Sequence, residues 1–128
     1  MAPLMDNMWH HICVSWENDQ GLWDVLVDGA VMAKGSAWGQ TLSVRPGKLV
    51  VGQSQGIFGG GFIASEGFTG KVASLNIWST KLSNSVIKDK AKTCSHNIGN
   101  VVDWRTFRHG VHGNAEILSP QSCTSHGN

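Results

Sequence analysis

Apolar and polar side chains alternate along two stretches near the start of the chain, Trp9–Trp16 and Leu22–Val27. The apolar residues that share one face are Ile12, Val14 and Trp16 in the first stretch and Trp23, Val25 and Val27 in the second. This period of two is typical of half-covered β-strands. Asp28-Gly29 follows, a pair that suits the positive φ angles of a type I′ turn. The pattern therefore predicts a hairpin with a return strand at Val31–Lys34.

Apolar and β-branched residues predict further strands later in the chain. They are a short strand at Thr41–Val44, two runs at Lys48–Gln53 and Lys71–Trp78, and short strands at Asn100–Trp104 and Ala115–Leu118. Between the two runs lies a long loop, Gly56–Gly70, which contains six glycines. A loop of this length in a compact domain is usually functional or disordered, although composition alone favours a surface loop whose glycines serve only turns.

One helix is predicted at Asn84–Lys92. Ser83 can cap it, because its hydroxyl can accept from a free N–H in the first turn. Leu82 and Ile87 are spaced to form a hydrophobic staple. Lysines 88, 90 and 92 fall toward the C-terminal end, where the helix dipole favours cations, so they need no anionic partner.

Composition limits the function classes. The chain of 128 residues suits one domain, and its 41% hydrophobic and 15% charged residues argue against disorder. Its 16 glycines favour a protein of many short strands. A net charge of +1 indicates no nucleic-acid partner, and no apolar run is long enough for membrane insertion. Residues 1–8 lack the pattern of a signal peptide and are predicted to be loose, as is the tail, residues 124–128.

Three candidate enzyme or metal motifs lack their structural context. Gly52–Gly56 matches G-x-S-x-G, but a nucleophile elbow requires a helix after the serine, and the glycines that follow disfavour one. His10 and His11 are adjacent, so on a strand they point to opposite faces. His109 and His112 lack neighbouring carboxylates or thiolates. These observations predict that the protein is not an enzyme. The three cysteines, at positions 13, 94 and 123, form no C-x-x-C pair.

The stretch from His11 to Trp16 is similar to the pentraxin signature, H-x-C-x-[ST]-W-x-[ST], and departs from it only at Asn18. The resemblance continues in collinear order over roughly residues 9–123. It includes Val27-Asp28-Gly29, Leu49–Gln53, Gln55, Phe58–Phe62, Phe68, Gly70, Leu75–Trp78, Leu82-Ser83 and Asn100–Trp104. It looks closest to the pentraxin modules of long extracellular proteins that also contain sushi, von Willebrand factor A and EGF-like modules.

The resemblance implies an all-β fold, an antiparallel jelly-roll sandwich of the laminin G-like, concanavalin-like kind, with one helix after the glycine-loop strands. It also implies that residues 9–123 are the second half of the domain. Cys94 and Cys123 are then expected to form a disulfide, with Cys13 unpaired. Because strands would lack partners, we expect an exposed apolar set that comprises Ile12, Val14, Trp16, Leu75 and Ile77.

The resemblance also gives the glycine loop a role in binding calcium. Ser54, Gly56 and Ile63 stand where calcium-binding pentraxins have carboxylates, whereas Gln55 matches and Glu66 stands at an amide position. The candidate ligand residues are therefore Ser54, Gln55, Gly56 and Glu66, and the candidate calcium ligands are Gln55 and Glu66. Calcium prefers six to eight oxygen ligands, so these few candidate ligands predict weak calcium binding.

Two functions are compatible with the resemblance. The first is a non-enzymatic extracellular adhesion module beside sushi or EGF-like neighbours, with a protein or glycan ligand. The second is a secreted, calcium-dependent recognition pentraxin of innate immunity. The missing carboxylates favour the first.

Overall fold

The computed structural model describes residues 4–37, 45–93 and 98–119. Residues 42–73 form one compact unit, and the remainder of the chain forms another. The described residues contain three strands, one α-helix and two short 3₁₀-helices. Of these six elements, only the 3₁₀-helix Ala64–Glu66 lies in the smaller unit. None of the helices in these ranges is long and apolar enough to cross a bilayer.

The larger unit is built on an antiparallel sheet with the order β1-β2-β3. Strand β1 spans Ile12–Trp16, β2 spans Leu22–Val27 and β3 spans Ala30–Ser36. The predicted turn connects β2 to β3, with φ of 51° at Asp28 and 81° at Gly29. Its two residues place Val27 opposite Ala30, which sets the register of the hairpin. The predicted hairpin is thus confirmed.

The two faces of this sheet differ in how they are covered. Cross-strand pairs place Val14 beside Val25 and Trp16 beside Trp23 on one face. On this face Ile12 and Val14 are each 56% exposed. On the opposite face Ser15 is buried and Leu26 is fully buried. The core of this unit therefore lies on the Leu26 side.

Helix α1, Asn84–Lys92, has the predicted bounds, and the Ser83 hydroxyl accepts from the Val86 N–H as expected of an N-cap. Ile87 is fully buried. The helix lies against the hairpin turn, because a Cβ built on Gly29 would be 3.4 Å from Lys88 Cα. Just before the helix, Lys81 Nζ lies 3.2 Å from a carboxylate oxygen of Asp24. The packing of Leu82 on Ile87 stays a prediction.

Side-chain and backbone hydrogen bonds join the segment before α1 to the segment after it. The Asn76 side-chain oxygen accepts from both the Gly99 and Trp104 N–H groups, each at 3.1 Å. The Ile77 N–H donates to Val102 at 3.0 Å in an isolated bridge. Asp103 then caps a 3₁₀-helix, Trp104–His109.

Four predicted strands are wrong. Lys48–Gln53, Lys71–Trp78, Asn100–Trp104 and Ala115–Leu118 contain no strand in the structure, only single bridges at Gln53, Ile77 and Val102. Two of these predicted strands are interrupted by backbone conformation, because positive φ angles at Gly52 and Ser74 are incompatible with an extended strand. A strand also needs a continuous hydrogen-bonding neighbour, and these runs find one only at isolated positions. The prediction at Thr41–Val44 falls outside the described residues.

Two strand boundaries also differ from the prediction. Strand β1 begins at Ile12 rather than Trp9, because His11 pairs with the turn residue Asp28 instead of with a strand. Strand β3 is longer than Val31–Lys34 because it follows β2 to Leu22, opposite Ser36. A register shift leaves Met32 as an extra residue on β3, a β-bulge that the alternation did not predict.

Candidate functional site

The glycine loop lies wholly within the smaller unit and is organised by the side chain of Gln55. Its Nε2 donates to the Lys48 carbonyl at 2.9 Å, and its Oε1 accepts from the Gly59 N–H at 2.7 Å. One amide group thus joins the start of the unit to the middle of the loop. Both ends of the amide thus have hydrogen-bond partners within the smaller unit, and both bonds favour the observed loop conformation.

Between these anchors the chain turns tightly at Ile57–Gly60. The Ile57 and Gly60 backbones exchange hydrogen bonds of 3.3 and 3.0 Å. Gly59 and Gly61 have φ of 71° and 67°, and a Cβ on Gly56 would lie 2.8 Å from the Gly61 carbonyl oxygen. Glycine is required here because a side chain would clash or be strained. The loop is therefore a defined turn.

The loop closes through contacts between Gln53 and Gly67. These residues form an isolated bridge, and the Phe68 N–H donates to the Gly52 carbonyl at 2.8 Å. A 3₁₀-helix, Ala64–Glu66, precedes the bridge. The Gln53 side-chain oxygen is buried and has no hydrogen-bond partner among the described residues. The sequence pattern does not single out Gln53, since its position in a predicted strand suggests only a structural role.

Large apolar side chains project from this loop into solvent. Ile57 is 70% and Phe58 75% exposed, at the tip of the turn. Phe62, Ile63 and Phe68 are exposed further along the loop. The Lys48 ammonium lies 5.9 Å from the centre of the Phe58 ring, within the range of a cation–π contact. The tip combines an aromatic surface with one cation.

The predicted ligand residues occupy different places in the loop. Ser54, Gly56 and Glu66 are exposed, whereas both ends of the Gln55 amide are already bonded within the loop. Glu66 is the single carboxylate of this unit, and Ile63 occupies the position before the 3₁₀-helix. Within the described ranges, no group of three or more acidic, histidine or cysteine side chains could hold a metal ion. This donor set does not fit calcium, which prefers six to eight oxygens.

The other sequence candidates have the following surroundings. Ser54 is followed by the glycine turn and not by the helix that a nucleophile elbow requires. His109 ends the second 3₁₀-helix, and His112 is exposed beyond it. Cys13 is a free, partly buried thiol whose pKa is raised by burial. Cys94 and Cys123 lie outside the described residues, so their disulfide stays a prediction.

Comparison with known proteins identifies the family. The family model described as "Pentaxin family" matches residues 3–120. This chain belongs to the pentraxin family. The antiparallel sheet and low helix content are consistent with the β-sandwich of a pentraxin domain. The jelly-roll topology stays a prediction.

Curated pentraxins are similar along most of this chain. Neuronal pentraxin-1 of Homo sapiens is 36% identical over 92% of the chain and 28% of its own length. Neuronal pentraxin receptor of Homo sapiens is 35% identical over 79% of the chain and 20% of its own length. Sushi, von Willebrand factor type A, EGF and pentraxin domain-containing protein 1 of Rattus norvegicus is 34% identical over 89% of the chain and 3% of its own length. The chain thus spans between a thirtieth and about a quarter of these relatives.

One solved structure resembles this pentraxin chain in fold. It comprises residues 221–444 of an S-layer domain-containing protein from Clostridium thermocellum, with a TM-score of 0.53 and 18% identity. The match covers 71% of this chain and 42% of that one. At this identity the likeness concerns the fold alone.

Proposed function

We propose that this chain is a non-enzymatic extracellular binding module of a multidomain matrix or cell-surface protein. Its ligand surface is the apolar tip of the glycine loop, with Ile57 and Phe58 as the contact residues. The ligand is an extracellular protein or a glycan. The observation that carries the proposal is the exposure of these two side chains on a turn whose conformation is held by Gln55.

A turn that is already ordered in the free protein favours ligand binding for an energetic reason. Ordering a loop on binding costs free energy, and a loop already in one conformation avoids most of that cost. The Gln55 amide and the Ile57–Gly60 hydrogen bonds provide this order before any ligand arrives. Exposed aromatic side chains are common anchors of binding surfaces because each buries a large area.

The relatives support the extracellular and modular parts of the proposal. The name of one relative places a pentraxin domain beside sushi, von Willebrand factor A and EGF modules, and several others are neuronal pentraxins. We propose that this chain has sushi or EGF-like neighbours and is secreted. Calcium plays little part in its binding, since the loop offers one carboxylate, Glu66.

The test is surface plasmon resonance of the 128-residue chain against immobilised matrix-protein ectodomains and extracellular glycans. Each is measured in calcium and again in EDTA. We expect at least one surface to bind with equal affinity in both buffers. Phe58→Ser should weaken that binding by about tenfold or more, as loss of an aromatic anchor typically costs at least 1.4 kcal/mol.

Ile117→Ser is the matched control. Ile117 is 64% exposed in the larger unit, so the substitution removes a comparable apolar side chain away from the loop. Equal losses from both variants would refute the loop as the ligand surface. Binding that disappears in EDTA would instead support the calcium-dependent recognition pentraxin. The absence of binding to every surface would reject the module proposal.

A further inference from the structure

The ring of His10 lies between two carboxylates. Its Nδ1 is 2.8 Å from an oxygen of Asp28, and its Nε2 is 3.0 Å from an oxygen of Asp6. The His10 side chain is only 14% exposed, and each carboxylate is 35% exposed. Asp6 precedes β1 in the chain, whereas Asp28 is in the turn between β2 and β3. The histidine therefore connects two segments that are distant in sequence.

The number of protons on the ring decides how many of these bonds can form. A carboxylate only accepts, so each ring nitrogen must donate to its partner. A neutral imidazole has one N–H, whereas an imidazolium has two. Both contacts can thus be hydrogen bonds only when His10 is protonated.

Further hydrogen bonds connect the same carboxylates to the backbone. Asp6 accepts from the Met8 N–H at 2.8 Å, and the second oxygen of Asp28 accepts from the His11 N–H at 2.9 Å. The two aspartates thereby fix the direction in which residues 6–11 approach the sheet. His10 is the group that joins one aspartate to the other.

We propose that Asp6, His10 and Asp28 form a pH-dependent clasp that holds residues 6–10 on the β2–β3 turn. With His10 protonated, the clasp is closed through both aspartates. With His10 neutral, one of the two bonds is lost and the segment is held less firmly. The clasp is a conformational device, separate from the glycine loop and independent of the proposed ligand surface.

The pKa directions agree with this geometry. Hydrogen bonds to Asp28 and then to Asp6 raise the pKa of His10 above its ordinary value of 6.5. The hydrogen bond from the Met8 N–H is the main cause that lowers the pKa of Asp6 below its ordinary value of 3.8, and the hydrogen bond with the His10 ring is the second. The stabilisation from His10 is fully present below pH 6.5 and is lost as the pH rises through the higher folded-state pKa. The stabilisation from Asp6 is fully present above pH 3.8 and is lost as the pH falls through its lowered folded-state pKa.

Other charged groups face the clasp from the strand and from α1. Burial lowers the pKa of His11, Asp28 raises it, and Lys90 lowers it. Lys88 lies against the turn at Gly29. The pKa of His11 is thus lowered below 6.5 and that of His10 is raised above it, so His10 is the ring that still holds its proton at the higher pH.

The test is an NMR titration of the histidine rings in the full chain, with hydrogen exchange at the Met8 amide. We expect the His10 midpoint to lie above the ordinary histidine value of 6.5, and Met8 protection to fall as His10 deprotonates. Asp6→Asn should lower the His10 midpoint and remove the pH dependence of Met8 protection. Asp28→Asn should also lower the midpoint, and it retains the turn because Asn-Gly suits type I′ geometry.

His112→Gln is the control and should leave the His10 midpoint and Met8 exchange unchanged. A His10 midpoint at or below 6.5 would overturn the clasp. So would an unchanged midpoint in both aspartate variants, each of which keeps a side chain of nearly the same size. Because ligand binding is not measured, these outcomes are independent of the proposed function.

Discussion

Gly99 is a residue whose identity depends on close backbone contacts. A Cβ at this position would lie 2.6 and 2.7 Å from the Ile77 carbonyl oxygen and nitrogen, and closer still to the Val102 carbonyl oxygen. The Gly99 N–H also donates to Asn76. The close approach lets Asn76 and Ile77 bind the segment after α1.

We predict that Gly99→Ala lowers the free energy of unfolding by about 2 kcal/mol, the usual range for overpacking. Backbone atoms surround the added methyl group, so no flexible side chain can move aside. Urea denaturation measures the change. Gly110→Ala is the control, because its added Cβ would be no closer than 4.0 Å to a neighbour. A cost of less than about 0.5 kcal/mol for Gly99→Ala, the usual size of a surface substitution, would contradict the contact.

At the scale of elements, α1 shows how local signals suffice when the required partners are nearby in sequence. Ser83 caps the helix through the Val86 N–H, and Lys90 and Lys92 lie in its last turn. Lys90 also lies over the Trp78 ring, 5.3 Å from its centre. The predicted strands after residue 45 failed in contrast, because strand pairing depends on distant segments.

We predict that Ser83→Ala lowers the free energy of unfolding by about 1 kcal/mol, the usual cost of losing an N-cap. Ser83→Asp should retain most of the stability, since its carboxylate can cap the same N–H and interacts favourably with the helix N-terminus. Thermal unfolding followed by circular dichroism distinguishes the three proteins. If Ser83→Asp is as unstable as Ser83→Ala, the capping contact does not explain the effect.

At the scale of the whole molecule, the larger unit leaves one sheet face open. Ile12, Val14 and Trp16 are exposed, as expected from sequence, but Leu75 and Ile77 are half-buried, contrary to expectation. The bridge from Ile77 to Val102 gives Ile77 a neighbour that the sequence did not reveal. Leu26 and Ile87 are the only fully buried large side chains in the described parts of the chain.

We predict that the 128-residue chain associates in solution through this open face, because contiguous exposed apolar surface promotes association. Size-exclusion chromatography over a range of concentrations should show growing oligomers. The double variant Ile12→Thr/Val14→Thr should shift the population toward monomer, and threonine retains β-propensity. The control, Ile117→Thr/Leu118→Thr, removes similar exposed side chains outside the sheet. A monomer at all concentrations in the unmodified chain would refute the prediction.

The glycine loop was predictable in position but not in chemistry. Its glycines and the resemblance through Gln55 and Phe58 indicated a functional loop. Only the structure showed that Gln55 is bonded at both ends of its amide and that the buried oxygen of Gln53 has no hydrogen-bond partner in the described parts of the chain. These facts depend on which backbone groups meet across the loop, and residue type alone does not specify that.

The sequence by itself determined the family, the β2–β3 hairpin and α1. Each depends on short-range information: a collinear motif, a turn whose φ angles suit Asp28-Gly29, and a cap within three residues of its partner. The tertiary structure alone decided where strand patterns failed to pair, which sheet face is open, and how His10 connects Asp6 to Asp28. These features join residues far apart in sequence, so their energies depend on the fold and not on local pattern.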